Sequence, residues 1–168
     1  MTDRGCKKPY IHFLSNAAVD VTGSCHHVRF KKYSILLDCG MIQGMKDIVS
    51  DYKANLAQLK KIKAREVDFI VLNHSHLDHI GLAPALYAKG CNAHLYVPTG
   101  STDFLKLLWE DSLKIMRSDC LKIQNKHGQK AAPFYDEQAI ERALNRIIEV
   151  DYNTPIQLAS DIKLTYYS

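Results

Sequence analysis

Between Asn73 and Gly81 the sequence reads NHSHLDHIG, which places His74, His76, Asp78 and His79 within six consecutive positions. These are metal-capable side chains. In extended backbone His74 and His76, two apart, project to the same side and reach one cation together. Asp78 and His79 follow as the chain turns toward a helix and can aim at a second point nearby. Imidazole and carboxylate oxygen suit zinc at roughly 2.0–2.2 Å. Two such ions about 3.5–4 Å apart can clamp a phosphodiester or an acyl group during hydrolysis. The bland alternative is a His-rich surface loop. At this composition, chance produces the same pattern in about one chain in a thousand.

The flanking elements explain how such a cluster would be held. The β-branched run VDFIVLN, Val67 to Asn73, reads as a buried strand that delivers the chain directly into His74. GLAPALYAKG then reads as a helix closed by Gly90. Upstream, YIHFL (Tyr10 to Leu14), SCHHVRF (Ser24 to Phe30) and YSILLDC (Tyr33 to Cys39) read as strands, the last two turned by Lys31-Lys32. DYKANLAQLKKI places Tyr52, Leu56, Leu59 and Ile62 on one helical stripe. Downstream, a strand from His94 to Val97 stops at Pro98, and Ser101 or Thr102 caps a helix to about Arg117. The polar stretch Lys122 to Pro133 reads as loop or insertion, DEQAIERALNRI as a helix, and DIKLTYYS as a strand. Strands alternating with helices define an α/β chain.

Composition sets the outer bounds. The 168 residues have the length of one domain, and 46% apolar with 24% charged residues is globular rather than disordered. No apolar run approaches the roughly 18 residues of a membrane span, and no signal-peptide core opens the chain, so a cytoplasmic or nuclear location is expected. Five cysteines (Cys6, Cys25, Cys39, Cys91, Cys120), never in CxxC spacing, point to reduced, mostly buried thiols. Net charge is +4, with local basic clusters at Lys7-Lys8, Lys31-Lys32 and Lys60 to Arg65. Such a balance permits a nucleic-acid partner without specifying one.

HSHLDH matches the HxHxDH signature of the metallo-β-lactamase superfamily. VTGSCHHVRFKKYSILLDCGMIQG resembles that fold's opening strands, with Asp38 in the place of its aspartate motif. TGSC, LLDCGM and VPTGSTDFLKLLWEDSLKI resemble, more narrowly, the β-CASP nucleases. The resemblance implies an αββα sandwich of which residues 1–168 supply roughly the N-terminal half. It also implies a zinc-dependent phosphodiester hydrolase acting on RNA, or on DNA. His74 and His76 would then ligate one zinc, and Asp78 and His79 the other. Asp78 would also steer the attacking water, and Asp38 would orient a ligand from behind.

The family's later metal motifs have no counterpart before Ser168, and His12, His26, His27, His94 and His127 do not replace them. Four donors shared by two ions leave each zinc short of the three protein ligands typical of catalytic sites. Weak metal binding and little or no hydrolysis by the chain alone are therefore expected. A complementary half, a partner subunit or self-association is expected to cover the inner sheet face. The competing readings are a lactamase- or thioesterase-like hydrolase of the same superfamily and a non-catalytic interaction module that keeps the metal loop as a relic.

Overall fold

The computed structural model describes residues 8–15 and 22–168; Cys6, Lys7 and Val21, named above, lie outside them. Three strands open the chain: β1 (Tyr10–Phe13), β2 (His26–Phe30) and β3 (Tyr33–Leu37), paired antiparallel with Val28 opposite Ile35. Lys31 turns β2 into β3 with a positive φ of 52°. From β3 the chain becomes a crossover fold. It runs through α1 (Ile48–Lys61), β4 (Phe69–Val71), α2 (Leu77–Ile80), α3 (Ala83–Ala88), β5 (His94–Pro98), α4 (Thr102–His127), α5 (Glu137–Leu144) and β6 (Ile147–Val150). β3 to β6 are parallel neighbours, so the six-stranded sheet has the order β1-β2-β3-β4-β5-β6.

Alternation along the strands divides the core. Leu36, Ile70, Leu72, Leu95 and Val97 point to the helices, where Leu59, Leu86, Trp109, Leu113 and Ile140 cover them. Ile35, Val71, Tyr96 and Val150 point the other way and meet Tyr166 and the hairpin β7 (Ile156–Ala159) with β8 (Ile162–Leu164). The molecule is therefore a helix layer on a sheet, with a two-stranded second layer on the far face. This is the mixed α/β architecture that the sequence implied. No described helix is long and apolar enough to cross a membrane.

Local expectations fail where distant residues intervene. The polar segment from Lys122 to Pro133 is loop only from Gly128 onward: α4 continues to His127, because Cys120 and Ile123 pack beside Val49 and Ala131. Gly128, at φ 63°, ends it in the left-handed conformation that glycine adopts freely. Neither Ser101 nor Thr102 caps α4 through its side chain onto the helix. The Glu149 carboxylate, at the end of β6, instead accepts from the Gly100 and Thr102 amides, both at 3.1 Å, and from Thr102 Oγ1. These bonds hold Glu149 below the usual carboxylate range, with the Thr102 hydroxyl foremost. The last expected helix stops at Leu144, since Ile147 pairs with Leu95 and starts β6.

His27 and Arg29 leave β2 on the helix side, where the His27 ring lies 2.8 Å from Ser34 through Nε2. Burial first, then the positive Arg29 and His12, lower the His27 pKa; Glu66 opposes them weakly. The folded state therefore favours neutral imidazole. Its contribution is complete above the unfolded value near 6.5 and declines as pH falls from there toward the lower folded value. Urea denaturation at pH 7.5 and 5.5 should show a loss on acidification that His27→Gln reduces. An equal loss in the variant would remove His27 from the account.

Candidate metal centre

The backbone of the cluster is strapped to its surroundings before any side chain acts. Ser24 N–H donates to the Asp78 carbonyl at 2.7 Å, Cys39 N–H to His79 at 2.8 Å, and Met41 N–H to Leu77 at 2.9 Å. The turn after β3 thus clamps α2, a helix too short to persist by its own propensity. Trp109 of α4, fully buried, donates its indole N–H to the Ile80 carbonyl at 3.0 Å and fixes the far end of α2. Gln58 of α1 donates to the Gly40 carbonyl at 2.8 Å and holds the clamp from below.

On this base the parallel strand β4 releases the chain at its carboxyl end, and the imidazoles gather. Ring centroids of His74 and His76 are 4.8 Å apart, and those of His74 and His79 are 3.9 Å apart. His74 and His76 are exposed, whereas Asp78 and His79 are half-buried at the base of the cluster. Asp78 Oδ2 lies 3.5 Å from His79 Nε2. Partial burial, then the neighbouring His79 and His76 imidazoles, push the His74 pKa down, against the pull of Asp38 and Asp78. Its imidazole is biased toward the neutral form that a metal requires.

Asp38 sits behind this group, 1% exposed, at a left-handed φ of 57° that aspartate tolerates better than most residues. Four donors surround its carboxylate: the Asn73 amide N–H at 3.0 Å, Asn73 Nδ2 at 3.4 Å, Ser24 Oγ at 2.9 Å and His79 Nδ1 at 2.7 Å. Because the carboxylate accepts, His79 carries its proton on Nδ1. Its Nε2 lone pair is left pointing away from Asp38, as in ligating histidines held by a carboxylate.

Ser24, Asn73 and Tyr166 were not singled out from sequence as parts of this arrangement. Ser24 belongs to the TGSC motif, and Asn73 to the strand end; nothing local marks Tyr166. The Tyr166 hydroxyl donates to the Leu72 and Tyr96 carbonyls at 2.9 and 3.0 Å, tying the ends of β4 and β5 together. Of the pair on β2, His26 faces this end, 3.4 Å from Ser24 Oγ, while His27 faces the helix side.

The donor chemistry fits a divalent cation: three imidazoles and a carboxylate on one loop, one ring already oriented from behind. The cage is nevertheless open. Among the described residues no three His, Cys, Asp or Glu side chains surround a single point as a complete site.

Residues 19–145 match the model of the metallo-beta-lactamase superfamily, and the chain belongs to that superfamily. A ribonuclease of Thermus thermophilus is 28% identical over 86% of this chain and 29% of its own length. A transcription termination factor FttA of Methanosarcina mazei is 28% identical over 89% of this chain and 21% of its own. A probable RNase of Methanocaldococcus jannaschii is 31% identical over 82% of this chain and 28% of its own. The chain spans less than a third of the length of each of the three. Membership implies a divalent metal.

Proposed function

We propose that this chain carries the metal-loop half of a zinc-dependent phosphodiester hydrolase that cleaves RNA. The observation that carries the reading is the Asp38–His79 pair at 2.7 Å. It fixes one imidazole's tautomer and heading in the midst of three other metal-capable groups, an expense of buried polarity that a relic loop would not need. Kinship with proteins named as ribonucleases supports RNA among the superfamily's substrates.

His74 and His76 would hold one ion, and Asp78 with His79 Nε2 the other. Imidazole-rich sets with few carboxylates favour zinc over harder cations. Zinc, when bound, supplies Lewis acidity toward water and toward a phosphoryl oxygen. Around it this chain's residues position. Asp38 keeps the His79 proton on Nδ1, and the Asp78 carboxylate steers and accepts a proton from the attacking water. Two protein donors per ion fall short of the usual three. The remaining ligands come from a complementary segment or subunit, and the chain alone is expected to bind zinc weakly.

The test uses the protein as its native gene produces it, offered a labelled single-stranded RNA, a chromogenic lactam and a thioester. RNA cleavage that a chelator abolishes and His76→Ala reduces at least a hundredfold is expected, with the other two substrates untouched. Preference for the lactam or thioester would overturn the substrate assignment. No hydrolysis together with no bound zinc by elemental analysis would instead identify a non-catalytic module.

A further inference from the structure

At the other end of the sheet from the His74 loop, a cavity of about 250 Å³ opens between the edge strands and the turn after α1. Arg29, Lys61, Lys63 and Glu66 line it, together with His27 and Ser34. Arg29 is only 8% exposed, and its side chain forms part of the cavity wall. Arginine's planar fork of donors on a cavity wall is built for a two-oxygen anion. Lys61 donates to the Leu14 carbonyl at 3.0 Å, a neutral partner that leaves its charge uncompensated. Lys63 stands 3.5 Å from Glu66, so those two charges offset each other. Three cations less one carboxylate leave two positive charges on the wall, those of Arg29 and Lys61.

We propose that this cavity binds a phosphomonoester dianion, with Arg29 forking two of its oxygens and Lys61 providing the second positive charge. A phosphomonoester carries roughly −1.5 to −2 near neutral pH, which matches the uncompensated charge of the wall. A carboxylate or phosphodiester would neutralise only half of it. The lowered pKa of His27, to which Arg29 contributes, reports the same positive field. The cavity exceeds a bare phosphate group, so either free phosphate or the 5′-phosphate of a nucleotide supplies the matching chemistry. Ser34 lies near the start of β3 and Asp38 just beyond its end, so the cavity is separate from the metal loop. The proposal stands without the nuclease reading.

Metal-free, EDTA-treated protein would be titrated with inorganic phosphate, adenosine 5′-monophosphate and adenosine at constant ionic strength in sodium chloride. Thermal unfolding and the His27 side-chain NMR signals are the readouts. A saturable rise in melting temperature and a His27 shift are expected with the two phosphates and not with adenosine. Arg29→Met should weaken binding at least tenfold, and Lys61→Met severalfold. Tighter binding of the nucleotide identifies a nucleotide 5′-phosphate as the source; equal binding identifies free phosphate. A phosphate response no greater than that of chloride would overturn the proposal, as would one unchanged in the variants. If Arg29→Met fails to fold, the exposed Lys61 position carries the same comparison.

Discussion

Gly40→Ala is expected to lower the melting temperature by about 6–12 °C, the equivalent of roughly 3 kcal/mol in a chain of this size. A β-carbon at Gly40 would overlap the Asp78 carbonyl and stand 2.8 Å from the His79 nitrogen, both backbone atoms. Neither can retreat freely. Asp78's carbonyl is bonded to the Ser24 amide at 2.7 Å, and His79's to the Cys39 amide at 2.8 Å. Relief therefore means breaking the clamp that holds α2 and displacing the four metal-capable side chains with it. Gly44→Ala is the control, because open space surrounds that residue and only its φ of 82° opposes a side chain. It should cost about 1 kcal/mol. Equal losses in calorimetry would show that the contact with Asp78 is not what Gly40 protects.

Asp38→Asn is expected to weaken zinc binding by about 10–100-fold while changing side-chain volume little. The carboxylate takes four donors and gives none. An amide in its place must aim its NH2 group at one of them. If the NH2 meets His79 Nδ1, that nitrogen becomes the acceptor, the proton moves to Nε2, and the lone pair that faced outward is gone. If it turns toward the Asn73 amide, two donors confront each other in a site that was 1% exposed. Zinc competition with a chromophoric chelator reads affinity, and the His79 nitrogen shifts read the tautomer. Unchanged zinc affinity with the proton still on Nδ1 would remove Asp38 from the site's support.

Much of this was legible in the residues alone. HSHLDH marked His74, His76, Asp78 and His79 as metal-capable groups, and the fold brings the three imidazole rings and the carboxylate together. The β-branched run ahead of it located the strand, and the alternation of short apolar runs with helical stripes gave the α/β class. Even the β2–β3 hairpin followed from apolar runs broken at Lys31-Lys32. All of these are local signals, written within a turn or a strand's length.

Tertiary structure decided whatever depended on a partner far along the chain. Glu149 replaces Ser101 as the cap of α4 from 47 positions away, and no periodicity around Ser101 anticipates a carboxylate arriving from β6. The first part of the Lys122 segment, to His127, is helical because Ile123 packs with Val49 and Ala131, although its own composition is that of a loop. Ile147 completes a helical stripe in sequence, yet opens a strand because β5 offers an open edge to pair with. The Tyr166 hydroxyl, 94 residues beyond Leu72, closes the strand ends, and Ser24 completes the ring of donors around Asp38 from β2's side. Sequence determined which groups could do chemistry and roughly which elements carry them. Only the fold decided which groups meet, since hydrogen bonding and burial depend on distance in space, which short-range patterns do not encode.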